Sequence, residues 1–271
     1  MKTLTRIGML AAVVACASAA MVARDWTQPT APLAPRAVVL AELFTSEGCS
    51  SCPPADTLLR RLVADQPIDG VEIVALGSHV DYWDRLGWRD PFSSPVFSGR
   101  QETYSASVFR LNSTYTPQLV VDGTLESVGS DEAAVWRNIR KAAAQPKAAV
   151  QITATPAEQS TIELAVHVDV GDRVQRTGPA EILVAVTEDG LESRVQRGEN
   201  GGRTLLHSAV VRVLKSAAPL RLEDQTASTT VTVPLGHDWR LPHLRFVAFV
   251  QEQISRRVLG AAATMVAHAA E

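Results

Sequence analysis

Residues 37–56 read Ala-Val-Val-Leu-Ala-Glu-Leu-Phe-Thr-Ser-Glu-Gly-Cys-Ser-Ser-Cys-Pro-Pro-Ala-Asp. The apolar run from Val38 to Phe44, rich in β-branched residues, predicts a buried strand, and the Ser/Gly-containing stretch after it predicts a turn. Cys49 and Cys52 follow as a Cys-x-x-Cys pair. Pro53 and Pro54 then fit the first turn of a helix, where the N–H groups they lack would have no partner. Leu58, Leu59 and Leu62 recur at helical spacing. A thiol at a helix N-terminus lies near partly positive N–H groups that favour thiolate, so the stretch points to thiol–disulfide exchange.

Two other uses of such a pair are a structural zinc site and a structural disulfide. The chain has three cysteines and neither a second Cys-x-x-Cys nor a His-x-x-x-His, so a tetrahedral zinc set is not completed. As a staple, a four-residue loop contributes roughly 2 kcal/mol, against about 3 for fifteen residues.

Lys2 and Arg6 precede an apolar run from Ile7 to Ala20, and Ala17-Ser18-Ala19 offers a small-x-small cleavage site. Residues 1–19 therefore read as a secretory signal peptide, implying a periplasmic or secreted protein. Cys16 within Val14-Ala15-Cys16 gives lipoprotein anchoring as the alternative. The run is short for a membrane span, and nothing later in the chain is long and apolar enough for one. Cleavage after Ala19 removes two basic residues and no acidic ones, taking the formal charge from −3 to −5. That balance argues against nucleic acid or an anionic membrane as partner. It also leaves Cys49 and Cys52 as the only thiols. Residues 20–36, with Pro29, Pro32 and Pro35, read as a linker.

Strand-length apolar runs alternate with helical patterns up to residue 146: Val71 to Leu76, Gln118 to Val121, a turn at Asp122-Gly123, Leu125 to Val128, and a helix over Asp131 to Ala144. Asp131 is a good N-cap for that helix, and Val135, Ile139 and Ala142 make its apolar stripe. Beyond Gln145-Pro146 the pattern alternates, as in Ile162 to Val168, Ile182 to Val186, Ala209 to Leu214, Thr229 to Val233 and Phe246 to Val250. The expected architecture is an α/β domain over 37–146 followed by an antiparallel β-sandwich over 147–271.

Cys49-Ser-Ser-Cys52-Pro, with Thr116-Pro117 opening a strand that ends in Asp122-Gly123, resembles the thioredoxin fold. The resemblance implies that Cys49 is the exposed nucleophile, Cys52 the resolving thiol and Pro117 a cis-proline, with the backbone of Thr116 pairing with a substrate segment. A trans proline opening a strand is the commoner case for prolines in general. Adding Glu42 to Asp56, His79-Val-Asp-Tyr-Trp-Asp84, Arg100-Gln101, Tyr115 to Gln118, Arg197 to Arg203 and His207, nearly all of the mature chain resembles a family of secreted bacterial thioredoxin-like proteins known as a domain of unknown function. The family implies a fold and a compartment, not a reaction.

The chain departs from ordinary thioredoxins in two ways. Glu42 lies seven residues before Cys49, one more than the buried acid of that fold, and one residue turns a strand position to the other face. The other departure is an insertion over 79–110, which carries Tyr82, Trp83, Trp88, Phe92, Phe97, Tyr104 and Phe109, seven of the chain's fourteen aromatic residues. It reads as a lid or substrate groove, with extra core as the alternative; His79, Asp81, Trp83 and Trp88 are its candidate binding residues. His79, Asp81 and Asp84 are also a conceivable ligand set. Copper-delivery proteins of this fold combine two cysteines with one histidine, usually with the cysteines one residue further apart. The expectation adopted is no metal and no cofactor. Asn200-Gly201 within Arg197 to Arg203 is a hairpin-turn signal.

The sequence thus predicts a dithiol–disulfide oxidoreductase acting on a protein partner, with Cys49, Cys52, Thr116 and Pro117 as its centre. A redox-inactive module that binds an envelope partner is the alternative.

Overall fold

A computed structural model describes residues 36–266. The expected signal peptide, Cys16 and all but the last residue of the expected 20–36 linker lie outside the described residues.

The quoted stretch forms strand β1 (Ala37–Thr45), a turn and helix α1 (Pro53–Asp65), with both prolines at the start of the helix. Strand β2 (Val71–His79) returns parallel to β1, with Thr45 opposite His79. The aromatic segment contains helix α2 (Pro95–Thr103) and a π-helical turn over Tyr104–Phe109. Strand β3 (Gln118–Val121) pairs antiparallel with β1, and β4 (Leu125–Val128) pairs with β3. Helix α3 (Glu132–Ala143) is capped by Asp131, whose carboxylate accepts the Ala134 N–H at 3.0 Å.

Nine strands follow: β5 (Ala149–Ala157), β6 (Thr161–Asp169), β7 (Ala180–Glu188), β8 (Leu191–Arg194), β9 (Thr204–His207), β10 (Val210–Leu220), β11 (Thr226–Pro234), β12 (Leu244–Glu252) and β13 (Val258–Thr264). They do not make a separate sandwich. One eight-stranded mixed sheet runs β13-β12-β7-β10-β2-β1-β3-β4 through both halves of the chain. Among the described residues there are three α-helices, and the protein is mostly β. The expectation of a thioredoxin-like α/β domain followed by a β-sandwich is therefore overturned. A smaller sheet, β11-β6-β5, covers the antiparallel strands of the large one, and β8-β9 is a hairpin.

Side-chain alternation explains how the two halves come to share a core. Val39, Ala41 and Leu43 of β1 face α1 and α3, whereas Leu40 and Phe44 point the other way, successive side chains of a strand leaving on opposite faces. There they meet Leu183 and Ala185 of β7, Val247 and Phe249 of β12 and Ala261 of β13. The alternate residues of β7 and β12, including Ile182, Val184, Phe246 and Ala248, pack on the small sheet. Strands β7 and β12 are thus buried on both faces. Strands β2 and β10 meet at one pair, Val210 with Gly77, and the sheet folds over itself there. A Cβ on Gly77 would lie 3.1 Å from the Ser208 carbonyl and 3.2 Å from that of Ala209. The close approach favours glycine, because a side chain there would press the neighbouring backbone back by a few tenths of an ångström.

Candidate functional site

The turn after β1 is built by its own backbone. Cys49 N–H donates to the Ser46 carbonyl at 3.2 Å, Gly48 N–H to the Ser46 hydroxyl at 3.1 Å, and Cys52 N–H to the Cys49 carbonyl at 3.2 Å. Cys52 then occupies the N-cap of α1. The two cysteines form a disulfide with their Cα atoms 5.4 Å apart. Both are fully buried, so the exposed nucleophile implied at Cys49 is not what the oxidised protein presents. Ser50 and Ser51 between them are exposed.

Thr116 and Pro117 stand beside the pair. Their peptide bond is cis, and the Thr116 carbonyl lies 3.9 Å from the Cys49 sulfur. The Ser51 hydroxyl is 3.3 Å from that sulfur and donates to the same carbonyl at 3.4 Å. Trp83 donates its indole N–H to the Thr116 hydroxyl at 2.9 Å, and a Cβ on Gly48 would come 3.0 Å from the Trp83 Cβ. Trp83 therefore joins the disulfide turn to the proline loop. Its outer side, with Tyr82, Leu86, Glu102 and Leu111, lines an open groove of about 790 Å³.

The other candidates from the aromatic segment divide. Trp88 is half-buried and donates its indole N–H to Glu47 at 2.7 Å. His79 lies beneath the turn, its Nδ1 2.7 Å from Asp90. Asp81 is not drawn to the disulfide; it exchanges hydrogen bonds with Ser98 of α2. Phe97 and Tyr104 are core. Among the described residues no three His, Cys, Asp or Glu side chains converge as a metal-ligand set.

Glu42 faces away from α1. Arg100 donates through Nε to both of its carboxylate oxygens, at 2.9 and 3.0 Å, and Ser78 adds a hydroxyl at 3.1 Å. It is committed to a buried ion pair between the sheet layers and leaves the disulfide without an acid from β1.

Another buried acid sits on α1. Asp56 lies one helical turn after Cys52, its N–H bonded to the Cys52 carbonyl at 3.1 Å, and residues four apart share a helix face. Its carboxylate accepts the Thr45 hydroxyl at 2.7 Å. Burial raises its pKa above the ordinary carboxylate value, against the opposing charges of His207 and His79. Around it lie three further contacts: His207 Nε2 to Glu47 at 3.0 Å, His79 to Asp90, and the Glu47 N–H to Asp90 at 2.9 Å. The imidazoles of His79 and His207 meet edge to face with centroids 4.9 Å apart. Burial alone would lower the His79 pKa, but the Asp90 carboxylate outweighs it and the net direction is upward. Asp90 is held below its ordinary value because its contact with His79 overcomes burial.

The β8–β9 hairpin closes the site from above. Asn200, fully buried, donates to the carbonyls of Glu47 and Cys49, each at 2.9 Å, and Glu199 accepts the Ser50 N–H at 3.0 Å. Glu47, Asp56, Asp90, Glu199, Asn200 and His207 escaped assignment as site residues in the sequence. The hairpin-turn signal located Asn200 without showing what it touches.

Fold and site define a β-rich protein whose large mixed sheet carries a buried Cys-x-x-Cys disulfide at a helix N-terminus, over a cluster of buried ionisable groups. The chain belongs to the family described as protein of unknown function DUF1223, whose model matches residues 40–251. Protein AGR_C_4864 from Agrobacterium tumefaciens has a similar solved structure, with a TM-score of 0.62 and 23% identity over 88% of this chain and 98% of that one. HBP35 of Porphyromonas gingivalis gives a TM-score of 0.61 and 15% identity, covering 85% of this chain and 76% of that one. These likenesses concern the fold alone. No curated protein matches the sequence.

Proposed function

We propose that the protein exchanges its Cys49–Cys52 disulfide with thiols of a protein partner in an oxidising, extracytoplasmic compartment. The observation that carries this reading is the position of the disulfide over Glu47, Asp56, His79, Asp90 and His207, all buried. A staple spanning four residues constrains the unfolded chain little, and burying five ionisable groups beside it is costly. Proton traffic at the sulfurs accounts for both. The compartment follows from the secretory pattern of residues 1–19.

In this reading a partner thiolate attacks the Cys49 sulfur and Cys52 leaves as thiolate. The partner segment approaches past Thr116 and along the groove behind Trp83. A redox-inactive binding module is the rival reading, favoured by the complete burial of both sulfurs under Asn200 and Glu199.

Trapping separates the two. In Cys52→Ser, expressed in the cell envelope, the mixed disulfide at Cys49 has no resolving thiol, so partners should accumulate in complexes that dissolve on reduction. Cys49→Ser should trap few. Absence of trapped partners in both variants favours the binding module.

A further inference from the structure

Strand β2 is paired along its whole length on one edge and meets β10 at a single residue pair on the other. Its even-numbered positions bond to β1: the Gly70 carbonyl just before the strand accepts the Ala37 N–H, and the Val80 N–H just after it donates to the Thr45 carbonyl, each at 2.9 Å. In a parallel strand the N–H and C=O of one residue point to the same edge and successive residues alternate, so Ile73, Ala75 and Gly77 face away from β1. Ile73 is satisfied by Gln66, which ends α1 in a left-handed backbone conformation. The Ile73 N–H donates to the Gln66 Oε1 at 2.7 Å, and its carbonyl accepts from Nε2 at 3.0 Å. Gly77 donates to the Ala209 carbonyl at 2.6 Å, while the Ala209 N–H is turned to Asp189 at 2.7 Å. Between them the N–H and C=O of Ala75, a buried residue, meet no protein group among the described residues. Buried main-chain groups are nearly always paired, so this donor and acceptor call for a partner.

Ala75 lines a cavity of about 370 Å³ where the sheet parts between β2 and β10. Its walls are aliphatic, from Val63 of α1, Ile73 and Val74 of β2, Val247 of β12 and Ala263 of β13. Thr187 of β7 lines it too; this residue is 1% exposed, and its hydroxyl is buried without a hydrogen-bond partner. Arg36 and Arg245 stand at the cavity against one carboxylate, Glu72. Arg245 is half-exposed and lies 3.3 Å from Asp189.

We propose that this cavity binds the free C-terminal end of a peptide whose last residue is aliphatic. The terminal residue pairs with Ala75 as an added strand would, its N–H donating to the Ala75 carbonyl and a carboxylate oxygen accepting the Ala75 N–H. Gln66 and Ala209 fill the neighbouring outward positions, so the edge has room for one paired residue and suits a chain end better than a strand running through. The carboxylate takes the Thr187 hydroxyl and the positive charge of Arg36 and Arg245, and the aliphatic side chain lies on Val63, Val247 and Ala263. The carboxamide of Gln66 already meets the same edge in this donor–acceptor order two residues away. The inference does not rest on the exchange reading.

The test is titration of the full chain with acetyl-Ala-Val as the free acid and as its C-terminal amide, followed by the backbone amide spectrum. The acid should saturate, shift the Ala75 N–H signal and bind about tenfold or more tighter than the amide, because hydrogen bonds to a charged group are the stronger ones. Arg245→Gln and Thr187→Val should each weaken the acid several-fold. Thr187→Val keeps the side-chain shape and removes a hydroxyl that is unpartnered in the free protein, so a packing role alone predicts unchanged binding. The comparison of acid with amide needs no variant and stands if either substitution impairs folding. Equal binding of acid and amide, shifts centred away from Ala75, or no saturation in the millimolar range overturns the proposal, whatever is found at the disulfide.

Discussion

The carboxamide nitrogen of Asn200 donates to the carbonyls of both Glu47 and Cys49 at 2.9 Å, so a residue on the β8–β9 hairpin fixes the turn that carries the first cysteine. Its oxygen is held in turn by Arg203 at 2.7 Å. Asn200→Ala leaves two buried carbonyls short of a donor and should cost about 1–3 kcal/mol of stability. Denaturant unfolding of the oxidised protein measures that loss. The same variant should be reduced faster by a small dithiol than the wild type, because the cover over Cys49 is loosened. Unchanged reduction kinetics would mean that the hairpin does not limit access.

Trp83 supports a second prediction, because it touches both the disulfide turn and Thr116 while lining the groove. Trp83→Ala should slow exchange with a peptide dithiol several-fold more than exchange with a small thiol reagent, only the peptide being long enough to use the groove. Comparison of the two second-order rates is the measurement. Equal losses would remove the groove from the account.

The ion pair of His79 and Asp90 predicts a pH dependence. The Asp90 pKa is lowered by folding, so its contribution is present above its ordinary value of 3.8 and is lost as the pH falls through the lowered value. The His79 pKa is raised, so its contribution is full below 6.5 and is lost as the pH rises through the raised value. Asp90→Asn should therefore destabilise most between these limits, by about 3–5 kcal/mol as for other broken buried pairs, and less in alkali. Unfolding midpoints of variant and wild type across pH provide the check.

Much of the first half of the fold was legible in the sequence. Val38 to Phe44 is a buried strand, Pro53 and Pro54 open α1, and Asp131 caps α3 as its position before an apolar stripe implied. The error in architecture came from Ile182 to Val186 and Phe246 to Val250. Their continuous apolar character is the mark of strands covered on both faces, and it fits a central layer of a larger sheet better than the wall of a separate sandwich. The one bridge between Val210 and Gly77 has no local signature at all. The candidate site was half legible. The thiols, Thr116, Pro117 and Trp83 come together, but His207 stands 160 residues from Glu47, and a lone histidine between Leu206 and Ser208 carries no sign of its partner. Nothing in the sequence around Asp56 marks its carboxylate as buried. Its burial depends on Thr45, His79 and His207 arriving from three other strands.

The layered cores yield a further prediction about truncation. A chain ending at Lys147 lacks β7, β12 and β13, which cover Leu40, Phe44, Val74, Leu76 and Val120. Exposure of that face should leave the fragment insoluble or unfolded, as judged by sedimentation and circular dichroism. A soluble fragment with native-like spectra would show that the first half stands alone.

The central claim is that the Cys49–Cys52 disulfide cycles, and the reduction potential of the pair in the folded full-length protein tests it most directly. Exchange with protein thiols predicts a value within the range of working oxidoreductases, roughly −270 to −120 mV. A value below about −300 mV, typical of structural disulfides, would contradict it and leave the protein a binding module stapled by its cysteines.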